Sequence, residues 1–250
     1  MPSRSEQEYT LPDSKSKALI SDLSSPLAVI VTHPWGPLGG DMHNNVVIAI
    51  CAWFQRLKIS TMRFNFCGSQ IGRGYRQVQQ VKEAANFLLG GHHQSHNEAA
   101  NTNVATTDPP QYIMLVGYSY GSIISASASA SIPQCIACVS IAPPLTVRHW
   151  LYLFQGNYHL DQARLRTDLP RLLVIGSDDN FTSEADFMNI VQTFPQSSTT
   201  GAVLKGADHF FRRREKDLMD IIGTFPQHLL LFLKVYWCVT KHNVCVKLSF

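Results

Sequence analysis

The chain has 250 residues, of which 45% are hydrophobic and 16% are charged, and its formal net charge is +3. This length is enough for one α/β domain with a sizeable buried core. The basic residues are mostly scattered, and the tightest cluster, Arg212-Arg213-Arg214, is followed by the acidic residues Glu215 and Asp217. Such mixed charge is typical of a solvated helix start, so we expect no binding to nucleic acid.

The first half of the chain alternates between strand-like and helix-like segments. Residues 1–17 are polar, are predicted to be disordered and lack the apolar stretch of a secretory signal. No apolar run in the chain is long enough for a membrane span, so we expect a cytoplasmic protein. Beyond residue 17 the pattern predicts strands over 27–32 and 60–66, helices over 45–57 and 77–89, and a loop, His33-Pro34-Trp35-Gly36-Pro37-Leu38-Gly39-Gly40, after the first strand.

Two segments differ in composition from the rest of the chain. Residues 90–110 contain few large apolar groups, which predicts a mobile surface insertion. His92, His93 and His96 lie in this insertion, where a polar loop is the simpler interpretation than a metal site. The tail, residues 227–250, begins with helix-like sequence and continues with strand-like, cysteine-containing sequence, and its role is open.

The six cysteines are more typical of reduced thiols than of a disulfide framework. Cys135 and Cys138 have C-x-x-C spacing, but they fall in a predicted strand over 134–141. Because residues three apart on a regular strand face opposite ways, we expect these two thiols to share neither a metal ion nor a disulfide.

An apolar run, Tyr112-Ile113-Met114-Leu115-Val116, stops abruptly at Gly117-Tyr118-Ser119-Tyr120-Gly121. The G-x-S-x-G spacing lets the chain reverse sharply between a strand and a helix and expose the serine Oγ. The residues that follow are rich in small side chains, which suit a helix close to a sheet. A glycine-bounded turn with an incidental serine is the alternative, but this context favours Ser119 as a nucleophile.

The second half of the chain continues the alternation. Strands that alternate with helices predict a doubly wound, mostly parallel sheet with helices on both faces. Ligands bind such sheets at the carboxyl ends of the strands, and the short segment 143–170 leaves room for a minimal cap. Strands are predicted over 134–141, 171–175 and 202–205, and helical segments around 145–165 and 184–194.

A serine hydroxyl needs a base to take its proton before it can attack. His209, in Gly206-Ala207-Asp208-His209, lies just past the last predicted strand, and Asp178 and Asp179 follow the strand before it. The order Ser, Asp, His along the chain is the order found in α/β-hydrolases. Spacing alone leaves both aspartates as candidates for orienting the histidine.

These residues give the chain a resemblance to the α/β-hydrolase superfamily, specifically to its small, lid-poor members. The resemblance covers roughly residues 25–225 and implies an α/β-hydrolase domain over 18–226. The matching segments are H-P-x-x-x-x-G-G at 33–40, R-F-N-F at 63–66, G-Y-S-Y-G at 117–121 and G-A-D-H-F-F at 206–211.

The resemblance implies that Ser119 is the nucleophile, that His209 is the base, and that Asp179 rather than Asp178 is the acid. It implies no metal and no organic cofactor. In this family the base accepts the serine proton and then protonates the leaving group, while the acid orients the imidazole.

The resemblance also implies an oxyanion hole and a substrate pocket. Backbone N–H groups of Tyr120 and Trp35 are expected to form the hole, since Pro34 has no N–H to donate. Tyr118 and His33 are assigned to the substrate pocket. Packing in the core is the alternative for Tyr118, and a hydrogen bond to the loop backbone is the favoured alternative for His33.

The sequence therefore predicts a serine hydrolase that cleaves an ester, thioester or amide bond of a small-molecule acyl substrate through an acyl-enzyme. Two alternatives remain open at this point. One is a serine peptidase of the same fold, and the other is a non-catalytic α/β-hydrolase-fold protein that binds a partner.

Overall fold

The computed structural model describes residues 6–90, 108–146 and 155–225. Within these residues, eight strands form one sheet in the order β1-β2-β4-β3-β5-β6-β7-β8. β1 pairs antiparallel with β2, and β2 pairs antiparallel with β4. β3 to β8 are all parallel to one another. The strands are Gln7–Thr10 (β1), Lys17–Ser21 (β2), Leu27–Thr32 (β3), Ser60–Phe64 (β4), Tyr112–Tyr118 (β5), Cys135–Ile141 (β6), Arg171–Gly176 (β7) and Thr199–Leu204 (β8).

Helices cover both faces of the sheet, as the sequence predicted. β3 shows the two-sided burial most clearly: Val29 and Val31 belong to the core on one face, and Ala28 and Ile30 to the core on the other. The first core includes residues of α1 and α6, and the opposite one includes residues of α2 and α3. The helices are Asn45–Arg56 (α1), Tyr75–Leu89 (α2), Tyr120–Ser129 (α3), Gly156–Arg164 (α4), Glu184–Val191 (α5) and Glu215–Thr224 (α6).

The prediction that residues 1–17 are disordered is wrong for the part that the structure describes. Residues Gln7–Thr10 form β1, which pairs with β2 at the edge of the sheet. Leu11 is buried. The Glu6 carboxylate makes a bidentate ion pair with the buried guanidinium of Arg63, with N–O distances of 3.0 and 2.8 Å. A few apolar and charged contacts to distant residues thus order a segment whose composition is polar.

The expected orientation of the two β6 cysteines is also wrong. The pairing of β5 with β6 shifts register between Ile113 and Met114, which is a β-bulge at the start of β6. The extra residue of a bulge reverses the alternation of side chains, so Cys135 and Cys138 lie in the same core cluster. Both thiols are buried and form no disulfide, and burial raises the pKa of Cys135 to about 11.

Some predicted features lie outside the described residues. The tail 227–250 does so completely, and the insertion 90–110 does so almost completely, including its three histidines. In the part of the chain that the structure describes, we find no helix with the length and hydropathy of a membrane span.

Candidate active site

Ser119 lies at the sharp turn between β5 and α3. Its backbone has φ 52° and ψ −123°, a positive-φ conformation that side-chain-bearing residues rarely adopt. Two anchors hold it there: the Ser119 N–H donates to the Ile141 carbonyl at 2.8 Å, and the Ser119 carbonyl accepts from the Ser122 hydroxyl at 2.6 Å. Strain at one residue, supported by neighbouring hydrogen bonds, is common where a side chain must be presented for chemistry.

The two glycines around Ser119 are required by close backbone packing. A Cβ on Gly117 would lie 2.4 Å from the Gly121 carbonyl oxygen, and a Cβ on Gly121 would lie 2.6 Å from the His33 carbonyl oxygen. Both distances are far below van der Waals contact. The G-x-S-x-G spacing therefore allows α3 to start directly against β5 and against the end of β3.

Asp179 and His209 come from the loops after β7 and β8, which are neighbouring parallel strands. Two hydrogen bonds join the loops: the Asp178 N–H donates to the Ala207 carbonyl at 3.0 Å, and the Gly206 N–H donates to the Ser177 side-chain hydroxyl at 2.8 Å. Because the carboxyl ends of parallel strands share one edge of the sheet, these loops lie at the same edge as Ser119.

The three side chains form a continuous hydrogen-bonded chain. His209 Nδ1 lies 2.8 Å from Asp179 Oδ2, and His209 Nε2 lies 3.0 Å from Ser119 Oγ. As a carboxylate, Asp179 accepts from Nδ1–H, which leaves the lone pair of Nε2 facing the Ser119 hydroxyl. All three residues are less than one-tenth exposed, so little water competes for these bonds. The arrangement can transfer a proton from Ser119 to His209.

The geometry distinguishes the two aspartates that spacing left open. The second carboxylate oxygen of Asp179 accepts from the backbone N–H groups of Phe181, at 2.8 Å, and Thr182, at 3.1 Å. These bonds fix the direction of the carboxylate toward His209. Asp178 is exposed, and its carboxylate accepts a hydrogen bond from the Ser177 hydroxyl at 2.8 Å. Asp179 is therefore the aspartate that contacts the imidazole.

The loop that carries Trp35 is held by the loop that follows β4. The Gln70 side chain accepts from the Gly36 N–H at 2.8 Å, and the Gln70 carbonyl accepts from the Trp35 indole N–H at 3.0 Å. Gln70 was not predicted from the sequence, since no local pattern marks a contact across 34 residues. The start of α3, with Tyr120, lies beside the same loop through the close approach of Gly121. The roles of the Trp35 and Tyr120 N–H groups in an oxyanion hole remain a prediction.

His33 and Tyr118 are each about 1% exposed, and their assignment to a substrate pocket stays a prediction. His33 Nε2 accepts from the Phe66 N–H at 2.9 Å, and its Nδ1 lies 2.5 Å from the Pro34 carbonyl oxygen. This pairing with the loop backbone is the alternative stated above for His33. Burial lowers the pKa of His33 to about 4, which keeps the ring neutral. Tyr118 packs in the core, with its hydroxyl on a backbone carbonyl.

Aromatic groups flank the imidazole. The Phe181 ring lies 4.3 Å from the His209 ring between centroids, and the Tyr118 ring lies 5.8 Å away. Phe210, the next residue along the chain, is 41% exposed, and its ring lies 5.1 Å below the Arg212 guanidinium. In residues 6–90, 108–146 and 155–225, no group of three or more His, Cys, Asp and Glu side chains is arranged to hold a metal ion.

Comparisons with known proteins give matches in solved structures alone. No family model matches the chain, and no curated protein matches it by sequence. An α/β serine hydrolase homologue from Coxiella burnetii is 23% identical, with a TM-score of 0.67 over 88% of this chain and 96% of that one. An α/β serine hydrolase without a lid from Xanthomonas campestris is 21% identical, with a TM-score of 0.68 over 92% of this chain and 97% of that one.

An esterase from Pyrococcus furiosus is more distant in sequence but similar in structure. It is 13% identical, with a TM-score of 0.64 over 89% of this chain and 91% of that one. At these identities the likeness concerns the fold. Together with the strand order and the helices on both faces, the matches show which fold this chain adopts.

Proposed function

We propose that this chain, which has the α/β-hydrolase fold, is a serine hydrolase with Ser119 as nucleophile, His209 as general base and Asp179 as the group that orients the base. The observation that carries the proposal is the hydrogen-bonded chain from Asp179 through His209 to Ser119, with distances of 2.8 and 3.0 Å. The positive-φ turn at Ser119 supports it, because that conformation presents Oγ at the carboxyl edge of the sheet.

The proposed reaction cleaves an ester, thioester or amide of a small-molecule acyl substrate. Ser119 Oγ attacks the carbonyl carbon while His209 Nε2 accepts the hydroxyl proton, and the carbonyl oxygen becomes an oxyanion. The C–O, C–S or C–N bond then breaks, and His209 returns the proton to the leaving group. Water repeats the sequence on the acyl-enzyme and releases the carboxylic acid.

Backbone N–H groups of Trp35 and Tyr120 are the proposed donors to the oxyanion. In serine hydrolases the loss of one such donor lowers the rate by about two to three orders of magnitude. Gln70 supports this proposal indirectly, since its bonds to Gly36 and to the Trp35 indole fix the loop that would carry one donor.

The proposal is tested with a fluorophosphonate probe and short-chain p-nitrophenyl esters. We expect the probe to modify Ser119, identified by peptide mass spectrometry, and we expect Ser119→Ala to abolish both labelling and hydrolysis. Ser129→Ala is the matched control, because the Ser129 hydroxyl bonds to a carbonyl of its own helix, away from the turn. A wild-type protein that is folded, unlabelled and inactive toward every acyl substrate would exclude a serine hydrolase.

The same samples separate the esterase proposal from the two alternatives. Faster hydrolysis of aminoacyl p-nitroanilides than of p-nitrophenyl esters would indicate a serine peptidase. The similar structure from Pyrococcus furiosus is called an esterase, which favours ester hydrolysis. A partner that binds equally well to Ser119→Ala, in the absence of any activity, would indicate a non-catalytic binding protein.

A further inference from the structure

Tyr118 directly precedes the proposed nucleophile, and its hydroxyl reaches the backbone of the proposed base. The Tyr118 hydroxyl donates a hydrogen bond to the His209 carbonyl oxygen at 2.9 Å, although the two residues are 91 positions apart in the chain. The Tyr118 side chain is about 1% exposed and belongs to the core on the α1 and α6 face of the sheet. It is therefore part of the core and closed to solvent.

The hydroxyl can serve as a constant donor at this position. Burial, together with the nearby charges of Asp179 and Asp208, raises the pKa of Tyr118 well above its usual range. The phenol is therefore neutral at physiological pH. A neutral phenol in a water-poor core forms a lasting hydrogen bond to a carbonyl, because no solvent molecule competes for either group.

The Tyr118 bond differs from the other contacts of His209 in what it connects. The Asp179 carboxylate and the Phe181 ring contact the imidazole, and both belong to the loop after β7. The Tyr118 hydroxyl instead contacts the main chain of His209, and Tyr118 is the last residue of β5, directly before Ser119. The Tyr118 side chain thus connects the strand that directly precedes the proposed nucleophile to the main chain of the proposed base.

We propose that Tyr118 is a positioning residue that fixes the main chain of His209 relative to Ser119 and so keeps His209 Nε2 within reach of the nucleophile. This inference rests on the proposed function. A misplacement of about 1 Å between reacting groups is enough to lower a rate by roughly two orders of magnitude, so loss of one such anchor has a measurable cost.

Tyr118→Phe tests the proposal, because phenylalanine keeps the ring and removes the donor. We expect kcat for a p-nitrophenyl ester to fall about tenfold or more, with KM within about twofold, because the variant loses alignment rather than binding. A second measurement needs no substrate: the proton between His209 Nδ1 and Asp179 gives a low-field ¹H NMR resonance, assigned by its absence in His209→Gln. We expect this resonance to broaden or disappear in Tyr118→Phe.

Tyr9→Phe is the matched control. The Tyr9 hydroxyl also donates a hydrogen bond at 2.9 Å, to Gln7, but it does so at the far edge of the sheet in β1. We expect wild-type kcat and a wild-type resonance in this control. Equal losses of kcat in both variants would indicate general destabilisation and would overturn the proposal, as would a rise in KM at constant kcat.

Failure of the positioning role is distinguishable from failure of the proposed function. A wild-type protein that labels at Ser119, with an unchanged kcat and an unchanged resonance in Tyr118→Phe, would overturn the positioning role alone. If the wild-type protein does not label at Ser119, the proposed function fails first, and the NMR comparison still decides whether Tyr118 holds His209. Tyr118→Met, which also lacks the donor, replaces the phenylalanine variant if that variant does not fold.

Discussion

The Cα of Gly176, the last residue of β7, packs against the carbonyl group of Ala207 so closely that a Cβ at Gly176 would lie 2.0 Å from the Ala207 oxygen. Gly176 stands three positions before Asp179, and Ala207 stands two positions before His209. This backbone contact sets the separation between the loop that carries the proposed acid and the loop that carries the proposed base. Glycine is required here by contact distance, since its φ lies outside the left-handed region.

Gly176→Ala is therefore expected to push the two loops apart. Both atoms in conflict belong to or adjoin the main chain, so relief requires a shift of one loop rather than a side-chain rotation. We expect a loss of about 1–3 kcal/mol in the free energy of unfolding and a fall of about two orders of magnitude in kcat/KM. Ile175→Val, at the buried neighbouring position, is the control, with a cost of about 1 kcal/mol and little effect on rate. Wild-type kcat/KM in Gly176→Ala would contradict the expectation.

Asp179→Asn and Asp178→Asn form a matched pair that tests which carboxylate orients the base. An asparagine at 179 can keep the bonds from Phe181 and Thr182, but its amide would donate to His209 Nδ1 and favour the wrong tautomer. We expect kcat to fall by about four orders of magnitude, which is the loss that this change causes in a serine protease with a Ser-His-Asp triad. Asp178→Asn should stay within about threefold of wild type, because Asp178 is exposed. Similar losses in the two variants would reverse the assignment.

Protonation of His33 makes the stability of the fold depend on pH. Its pKa is about 4 in the folded protein and about 6.5 in the unfolded chain, so the unfolded chain binds the extra proton between these values. Stability is therefore fully present above pH 6.5 and is lost as the pH falls toward 4, by an amount on the order of 3 kcal/mol. Urea unfolding at a series of pH values measures this loss. His33→Gln should be less stable at neutral pH and should show a smaller loss on acidification. An equal acid loss in the variant would assign the effect to another group.

Glu6→Gln tests the N-terminal ion pair. The side chains of Glu6 and Arg63 are 3% and 2% exposed, so removal of the charge on Glu6 leaves a buried guanidinium without its partner. We expect a loss of about 3 kcal/mol in the free energy of unfolding. Glu8→Gln is the control, because the Glu8 and Lys17 pair is mostly solvated and contributes less than about 1 kcal/mol. A Glu6→Gln protein as stable as the control would show that pairing with β2 and apolar contacts are sufficient to hold β1.

The parts of the fold that the sequence predicted well are those encoded by local patterns. Continuous apolar runs marked the central strands, and β3 has the predicted bounds. The chain order of Ser119, Asp179 and His209 was sufficient to expect them near one another, because the carboxyl ends of parallel strands meet at one edge. Spacing alone left Asp178 and Asp179 open, since both follow the same strand, and the resemblance favoured Asp179, whose carboxylate contacts His209.

The features that the sequence did not predict depend on contacts between distant segments. The bulge that brings Cys135 and Cys138 to one face arises from pairing with β5, which no pattern within β6 records. The ordered conformation of residues 7–10 depends on strand pairing with β2 and on the Glu6–Arg63 ion pair. Tyr118 occupies a variable position of the G-x-S-x-G motif. Its hydrogen bond to His209 is not encoded in that motif, because it depends on the contact between β5 and the loop after β8.

The position of β8 has a consequence for how this molecule would lose activity. Among the described residues, β8 is an edge strand, and each of its six residues keeps some exposure, whereas β5 lies in the middle of the sheet and is almost wholly buried. His209 follows β8, and Ser119 follows β5. Detachment of that edge alone would remove the proposed base while most of the sheet stays intact. We therefore expect inactivation at lower urea concentrations than the main spectroscopic transition. Reinforcing this edge should lengthen the operational half-life more than improving the core would.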